Sequence, residues 1–253
     1  MRKPIIAGNW KLHNTIPEAL DLVEALKKGL ANQTRVDVIV APVFTALAAV
    51  ADATSGTGIA VAAQNCYPEA SGAFTGEVSP ALLRGVGCKY VIIGHSERRQ
   101  LFHESDEFIN KKIKAVIAGG LAAILCVGET LEQRDSGAMM EILHDQVRKG
   151  LAGLTAVDMQ QVVIAYEPVW AIGTGKTASA DQAEEVHSFL RGTLAGIFDK
   201  STSEQTRIIY GGSVKPDNID GLMERADIDG ALVGGASMKA ADFLRLIHFQ
   251  QPE

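Results

Sequence analysis

One stretch of the sequence decides the fold: Val162-Val163-Ile164-Ala165-Tyr166-Glu167-Pro168-Val169-Trp170-Ala171-Ile172-Gly173-Thr174-Gly175-Lys176-Thr177-Ala178. Its continuous apolar start is typical of a parallel β-strand that is covered on both faces. The strand ends in a carboxylate, Glu167, and a proline follows at once. The loop 168–178 has an apolar tip, which favours a lid that closes over a bound molecule. The alternative is an ordinary strand-to-helix connection.

Short apolar runs like this one recur along the whole chain. The eight predicted strands are Ile5–Trp10, Val36–Ala41, Ile59–Ala63, Tyr90–Gly94, Ala122–Val127, Val162–Tyr166, Ile208–Tyr210 and Gly230–Val233. Helical patterns lie between most of them, and the clearest are Pro17–Leu30, a long helix from the capping pair Thr130 and Gln133 to Gly150, a helix after the capping pair Ser179 and Gln182, and Lys239–Phe249.

Eight strand-then-helix units without a linker predict an α/β fold, a (β/α)8 barrel in which residues 1–253 form a single domain. The competing fold is a doubly wound open sheet. That fold places its site at one switch point, whereas polar and glycine-rich signals follow many strands here. We therefore expect an active site where the carboxyl ends of the strands meet.

Composition narrows the function classes. The chain has 253 residues and a net charge of −6, so nucleic-acid binding is not expected, and an anionic substrate needs a local positive site. Cys66, Cys88 and Cys126 lack metal-ligand spacing, and their odd number argues against a disulfide framework. No apolar signal region follows Met1-Arg2-Lys3-Pro4, and no apolar run reaches membrane-spanning length. We expect a cytoplasmic protein without a metal or membrane partner.

Polar residues follow the first and fourth predicted strands. Asn9 and Lys11 point to one face by strand alternation, opposite Trp10, and Lys11 would bring positive charge to an anionic ligand. The alternative for Lys11 is a surface lysine. His95 follows the fourth strand where a short helix can start, and the positive end of such a helix favours a neutral imidazole. Glu97 and Arg98 are candidates for a buried polar pair, and Arg99 for either that network or a solvated neighbour.

Glycines follow the last two predicted strands, in Gly211-Gly212-Ser213 and Gly234-Gly235-Ala236-Ser237. Glycines let backbone N–H groups approach an anion closely, and strands seven and eight are the usual phosphate site of such barrels. Cys126 follows the fifth strand. It could be a nucleophile, but no base is apparent beside it in sequence, so packing is the favoured interpretation.

Taken together, five motifs resemble those of the triosephosphate isomerase family: Gly8-Asn9-Trp10-Lys11, Gly94-His95-Ser96-Glu97-Arg98-Arg99, Ala165–Gly175, Tyr210-Gly211-Gly212-Ser213 and Gly234-Gly235-Ala236-Ser237. The resemblance extends from about Lys3 to Leu246. It implies a TIM barrel that interconverts dihydroxyacetone phosphate and glyceraldehyde 3-phosphate through an enediolate, in glycolysis and gluconeogenesis and without a cofactor.

The resemblance also implies roles for individual residues. Glu167 would be the base that moves a proton between adjacent carbons, and His95 would polarise the carbonyl as a neutral donor. Lys11 would supply positive charge, and Asn9 would orient the substrate oxygens. Glu97 would be the supporting carboxylate of this network of residues. The substrate-binding set is Asn9, Lys11 and the phosphate-holding residues Gly173, Ser213, Gly234 and Gly235.

The segment 65–78 is long for a connection between a strand and a helix, and it carries Phe74 among small residues. In the family, the matching loop enters a pocket of a second subunit, which predicts a homodimer in which Thr75 braces Asn9 and Lys11 of the partner. The alternative is a self-packed surface loop. Two other functions stay open: another phosphosugar barrel enzyme, such as a Schiff-base aldolase, and a non-catalytic phosphate-binding barrel.

Overall fold

The computed structural model describes residues 2–30, 35–172 and 177–250. Eight parallel strands form a closed barrel in sequence order, and β1 pairs with both β2 and β8. The strands are β1 (Ile5–Asn9), β2 (Asp37–Ala41), β3 (Ile59–Ala63), β4 (Tyr90–Ile93), β5 (Ala122–Val127), β6 (Val162–Tyr166), β7 (Arg207–Tyr210) and β8 (Gly230–Val233). The predicted (β/α)8 barrel is confirmed, and the closed sheet excludes the doubly wound alternative.

Helices cover the outside of this barrel. They are α1 (Ile16–Gly29), α2 (Leu47–Thr54), α3 (Pro80–Gly85), α4 (Ser96–Leu101), α5 (Asp106–Ala118), α6 (Leu131–Asp135), α7 (Met139–Gly150), α8 (Ala180–Ile197), α9 (Lys200–Gln205), α10 (Ile219–Met223) and α11 (Ala240–Ile247). Short 3₁₀ turns occupy Phe44–Ala46, Asp158–Gln161, Val169–Ala171 and Gly235–Met238.

The strands bury both of their faces. One set of alternating side chains, such as Ile5, Ala7 and Ile124, fills the inside of the barrel. The intervening residues, such as Ile6 and Leu125, pack outward in the larger cluster that includes the helices. Strands covered in this way need apolar residues at consecutive positions, which is the physical reason for the continuous apolar runs in the sequence.

The predicted long helix from Thr130 to Gly150 is wrong, because the chain forms α6 and α7 with a break between them. Its predicted start is correct: the N–H of Gln133 donates to Thr130 Oγ1 at 3.3 Å, as in a capping box. Gly137 has a φ of 77°, a left-handed conformation that ends a helix and favours glycine. Residues 132–137 carry no apolar side chain, so the interrupted periodicity marks this break.

The other differences are at element ends. β1 stops at Asn9 rather than Trp10 because Lys11 adopts a φ of 51°, and β4 stops before Gly94, whose φ is 73°. The capping pair of Ser179 and Gln182 does start a helix, α8.

Candidate active site

A cavity of about 290 Å³ lies at the carboxyl ends of the strands. It is lined by Asn9, Lys11, His95, Glu167, Ile172, Gly211, Gly212, Ser213, Val214, Lys215, Leu232, Gly234, Gly235 and Ala236. Of the predicted site residues that the structure describes, all line this cavity except Glu97, which contacts it through Lys11. The sequence argument that strand ends converge therefore holds for residues that are far apart in the chain.

A wider hollow of about 790 Å³ lies at the opposite end of the barrel, beside the starts of β6 and β7. Its cations Arg2, Lys3 and Arg207 are already paired with aspartates, as in the Arg2 Nε–Asp229 Oδ1 and Arg207 Nη1–Asp37 Oδ2 pairs. Because these charges are satisfied within the protein, the smaller cavity is the better candidate for binding an anion.

Lys11 is held at the mouth of β1 by a strained backbone and three polar contacts. Its φ of 51° is unfavourable for a residue with a side chain, and such strain persists where surrounding contacts fix it. Its N–H donates to Asn9 Oδ1 at 3.1 Å, and its carbonyl accepts from Gln64 Nε2 at 2.7 Å. Its ammonium lies 2.6 Å from Glu97 Oε1 and contacts the cavity. Trp10 points the other way and is fully buried, as alternation predicted.

His95 caps the N-terminus of α4. Its Nδ1 accepts the N–H of Glu97 at 3.3 Å, so this hydrogen bond assigns the proton of the neutral ring to Nε2. Nε2 lies 3.0 Å from Glu167 Oε1, and both side chains are buried. The predicted short helix after β4 is therefore present, and it aims the donor nitrogen of His95 into the cavity.

Glu167 receives two polar contacts at the end of β6. Oε1 faces His95, and Oε2 accepts the N–H of Ser96 at 2.9 Å. Burial favours the neutral acid, but the contacts with His95 and Ser96 and the charge of Lys11 outweigh it, so the pKa of Glu167 is lowered. The carboxyl group is therefore ionised near neutral pH and can act as a base.

The pKa of His95 shifts in the direction opposite to the one that the sequence suggested. Burial lowers the pKa, but the charge and hydrogen bond of Glu167 raise it by more, with a further contribution from Glu97. The helix N-terminus argument considered only α4 and missed the carboxylate that β6 brings to Nε2. The contact with Glu167 therefore favours the protonated imidazole, and this contribution is lost when Glu167 turns away from His95.

The predicted pairing of Glu97 with Arg98 is wrong. Glu97 pairs with Lys11, whereas Arg98 Nε lies 2.6 Å from Glu104 Oε1. Arg99 is not a solvated neighbour: it pairs with Asp106 at 2.6 Å and donates to the carbonyl of Gly94 at 2.8 Å. Neighbours on a short helix point in different directions, so sequence adjacency gave no guide to these partners.

Sequence reasoning missed a buried ion pair next to this network. Lys112 of α5 is 1% exposed, and its Nζ lies 2.6 Å from Glu104 Oε1 and 2.8 Å from Asn65 Oδ1. The signal was present, because Lys112 falls on the same helical face as Ile109 and Val116, where a charge needs a partner. The hydrogen bond from Lys112 to Asn65 connects α5 to the start of the loop 65–78.

Glu129, another buried carboxylate, holds the described start of the loop 168–178. Glu129 Oε1 accepts from Trp170 Nε1 at 2.8 Å and from Tyr166 Oη at 3.1 Å. Arg134 lies 3.2 Å from the same oxygen and stacks on the Trp170 ring. Residues 173–176 of the predicted lid, including Gly173, lie outside the described residues, whereas its apolar part, Val169 to Ile172, is described.

The amino-acid sequence matches a known protein family. The family model described as triosephosphate isomerase matches residues 4–250. The triosephosphate isomerase of Syntrophotalea carbinolica is 61% identical over 250 residues, which cover 99% of each chain. Those of Citrifermentans bemidjiense and Chloroflexus aurantiacus are 55% and 56% identical, over 99% of this chain and 100% of each relative.

The chain belongs to the triosephosphate isomerase family. It is therefore an enzyme, an isomerase that acts on a triose phosphate, and the family name implies a role in glycolysis. The resemblance that the motifs indicated is confirmed over nearly the whole chain.

Three further observations on this member of the triosephosphate isomerase family concern a cysteine nucleophile, a metal site and a membrane-spanning helix. Cys126 is fully buried, and burial together with the charge of Glu167 raises the pKa of its thiol, so the reactive thiolate does not form near neutral pH. In the part of the chain that the structure describes, no group of three or more metal-ligating side chains is present. None of the described helices is long and apolar enough to cross a membrane.

Proposed function

We propose that Glu167 is the base of the triose phosphate isomerisation, and that His95, Lys11, Asn9 and Glu97 act with it. The observation that carries this proposal is the 3.0 Å contact between His95 Nε2 and Glu167 Oε1 inside the strand-end cavity. A base and a hydrogen-bond donor at one buried point are what proton transfer next to a carbonyl requires.

The reaction then follows from these contacts. Glu167 turns from His95 Nε2 and Ser96 N–H toward the substrate and takes a proton from the carbon next to the carbonyl. The neutral imidazole of His95 donates its Nε2–H to the carbonyl oxygen, where negative charge develops as the enediolate forms, and takes back the proton of the neighbouring hydroxyl, so that this proton passes from one oxygen to the other. Glu167 returns the proton to the neighbouring carbon. These steps move only protons, so they require no cofactor.

Lys11 and Asn9 support the same oxygen chemistry. The ammonium of Lys11 stabilises the developing negative charge, and its position is fixed by Glu97 at 2.6 Å. Asn9, whose side chain also accepts the Lys11 N–H, orients the substrate oxygens. Glu97 is therefore a positioning residue that acts through Lys11 and through its N–H contact with His95.

We assign phosphate binding to the glycine-rich ends of β7 and β8, through Ser213, Gly234 and Gly235. These residues line the same cavity as Lys11 and Glu167, and backbone N–H groups next to small residues can approach an anion closely. Gly173 belongs to this proposed set by its motif.

Exchange of Glu167 for glutamine tests the assignment. Glu167→Gln keeps the shape of the side chain and removes the base, so we expect turnover to fall by about 10²–10⁴-fold, the usual contribution of a positioned base. The measurement is a coupled isomerase assay, with far-UV circular dichroism as the control for folding. Turnover near that of the wild type in a folded variant would show that another group takes the proton.

The structure disfavours the two other functions that the sequence left open. A Schiff-base aldolase needs a neutral lysine amine as nucleophile, whereas the Lys11 ammonium is ion-paired with Glu97. A non-catalytic phosphate-binding barrel has no need of a buried base next to a buried donor, and that pair is present in His95 and Glu167.

We also propose a homodimer through the loop 65–78. Phe74 remains 40% exposed although its ring packs on Tyr67 at 4.6 Å, so the loop is only partly self-packed. Further large apolar side chains are exposed near the site, including Leu12 at 92% and Phe102 at 62%. An isologous contact between two copies would cover these side chains, and Thr75 of one copy would brace Asn9 and Lys11 of the other.

Replacement of residues 74–76 by a short polar turn tests the dimer. We expect light scattering to give a monomer and the isomerase assay to give much lower activity, because Lys11 and His95 lose their support. A fully active monomer would contradict the proposal. We further propose that the protein is cytoplasmic, which cell fractionation would test. We also propose that residues 1–253 form a single domain, which would give one cooperative unfolding transition.

A further inference from the structure

Lys215 is a second cation in the wall of the cavity, and no motif considered above uses it. It lies on the loop after β7, two residues beyond Ser213, and it is exposed to solvent while lining the cavity. Within the residues that the structure describes, its side chain has no ion-pair or hydrogen-bond partner. Its charge is therefore available to a molecule that enters the cavity.

The balance of charges at the cavity favours a role for Lys215 in attracting an anion. Among the described residues at the cavity, the Lys11 ammonium is paired with Glu97 at 2.6 Å and His95 Nε2 faces the carboxylate of Glu167 at 3.0 Å, so Lys215 is the cation that remains without a partner. The whole chain carries a net charge of −6. Without Lys215, a triose phosphate, which is close to a dianion at pH 7, would approach a negative protein through a cavity without excess positive charge.

The loop also holds Lys215 in a fixed place relative to the proposed phosphate site. The Asn218 side chain accepts the N–H of Lys215 at 2.8 Å and donates to the carbonyl of Ser213 at 2.9 Å. Pro216 follows directly and restricts the backbone of Lys215 to extended conformations. The backbone of Lys215 therefore stays near Ser213, and only the lysine side chain is free to move.

We propose that Lys215 steers the phosphate group of the substrate into the cavity and so raises kcat/KM, without taking part in the proton transfers. This inference rests on the proposed function of the site, and in particular on the phosphate lying beside Ser213. It assigns to Lys215 an electrostatic role that is distinct from that of Lys11, whose charge is shared with Glu97.

The size of the effect follows from the position of Lys215 in the loop. Two residues of extended chain span about 7 Å, and we take roughly 8 Å as the separation between the ammonium and a phosphate at Ser213. A dianion at that distance gains an attraction that changes kcat/KM by about fourfold at 10 mM salt, and that almost disappears at 1 M salt. The signature of steering is therefore the dependence of kcat/KM on salt.

The experiment compares Lys215→Gln with Lys89→Gln over this salt range. Lys89 is the matched control: it is exposed, its side chain has no ion pair among the described residues, and it precedes β4 at the other end of the barrel. Both variants change the net charge equally. We expect Lys215→Gln to lose about fourfold in kcat/KM at low salt with kcat nearly unchanged, while Lys89→Gln follows the wild type. Lys215→Arg should restore the wild-type salt dependence.

Two probes separate charge steering from a structural defect. D-Glyceraldehyde lacks the phosphate, so its kcat/KM should be the same in Lys215→Gln and the wild type. Inorganic phosphate, measured by calorimetry, should bind more weakly to Lys215→Gln at low salt.

Identical salt dependence in Lys215→Gln and Lys89→Gln, or an equal loss with glyceraldehyde, would overturn the inference. A wild type that does not isomerise triose phosphates would instead overturn the proposed function, and the calorimetric comparison would still report on Lys215.

Discussion

Gly128 lies where β5 meets the backbone of Glu167, and a single methyl group there should disable the site. A Cβ at this position would stand 1.8 Å from the carbonyl oxygen of Glu167 and 2.8 Å from its carbonyl carbon. Carbon and oxygen atoms that are not bonded rarely approach closer than about 3.3 Å. In Gly128→Ala, the two backbones must therefore separate by about 1.5 Å, which is the difference between this limit of about 3.3 Å and the 1.8 Å to the carbonyl oxygen of Glu167.

The separation acts on the proposed base directly. The N–H of Glu167 donates to the carbonyl of Val127 at 2.8 Å, and its carboxylate contacts His95 and Ser96 at 3.0 and 2.9 Å. A displacement of about 1 Å at a reacting group can cost about 10²-fold in rate, so we expect at least this loss in kcat/KM. Loss of the ladder hydrogen bond should also destabilise the fold by about 1 kcal/mol.

The assay is kcat/KM by coupled enzyme kinetics, with circular dichroism and urea unfolding on the same samples. Gly192→Ala is the matched control, because a Cβ there meets nothing within 4 Å and lies inside α8. We expect full activity and a gain of about 0.5–1 kcal/mol from helix propensity.

Gly211→Ala adds an intermediate case, since its Cβ would lie 2.8 Å from Glu167 Cγ, a side-chain atom that can move. A folded Gly128→Ala enzyme with wild-type kcat/KM would refute the argument that backbone contact fixes Glu167.

Three other predictions concern stability. Burial lowers the pKa of His187 to about 4, so on acidification the unfolded chain binds this proton before the folded protein does. The free energy of unfolding should therefore fall by up to about 3 kcal/mol as the pH drops from above 6.5 through 4. In His187→Asn, the free energy from urea unfolding should depend less on pH over this range. Lys112→Met leaves Glu104 buried with one partner fewer and should lower the free energy of unfolding by about 3 kcal/mol, in contrast to the exposed Lys89→Met. Gly230→Ala should fail to give a stable fold by thermal unfolding, because Gly230 has a φ of 142° and its Cβ would lie 1.9 Å from the carbonyl oxygen of Ile5.

The barrel and most of its site could be predicted from the sequence because two local signals were enough. Continuous apolar runs mark strands buried on both faces, and a parallel barrel brings the residue after each strand to the same end. Asn9, His95 and Glu167 could therefore be placed together without knowledge of any contact between them, and the cavity includes all three.

Contacts between distant segments could not be predicted in the same way. The partner of Glu97 is Lys11, which follows β1 and lies 86 residues earlier in the chain, rather than the adjacent Arg98. The direction of the His95 pKa shift depends on Glu167, which β6 supplies. Such effects act through space over a few ångströms, and the order of residues in a helix or strand does not encode them.

The closing seam of the barrel has a consequence for how the chain is made. β1 pairs with β8 from Ile5 opposite Gly230 to Gly8 opposite Val233, so the first strand to leave the ribosome meets its second neighbour last. Until then β1 has an open edge, and so does β7, whose register with β8 runs through Tyr210 and Ala231. Open edges can pair with strands of other nascent chains, and contacts between such distant segments form slowly. Pairing of residues 230–233 with both β7 and β1 is thus the step at which the sheet loses both of its aggregation-prone edges.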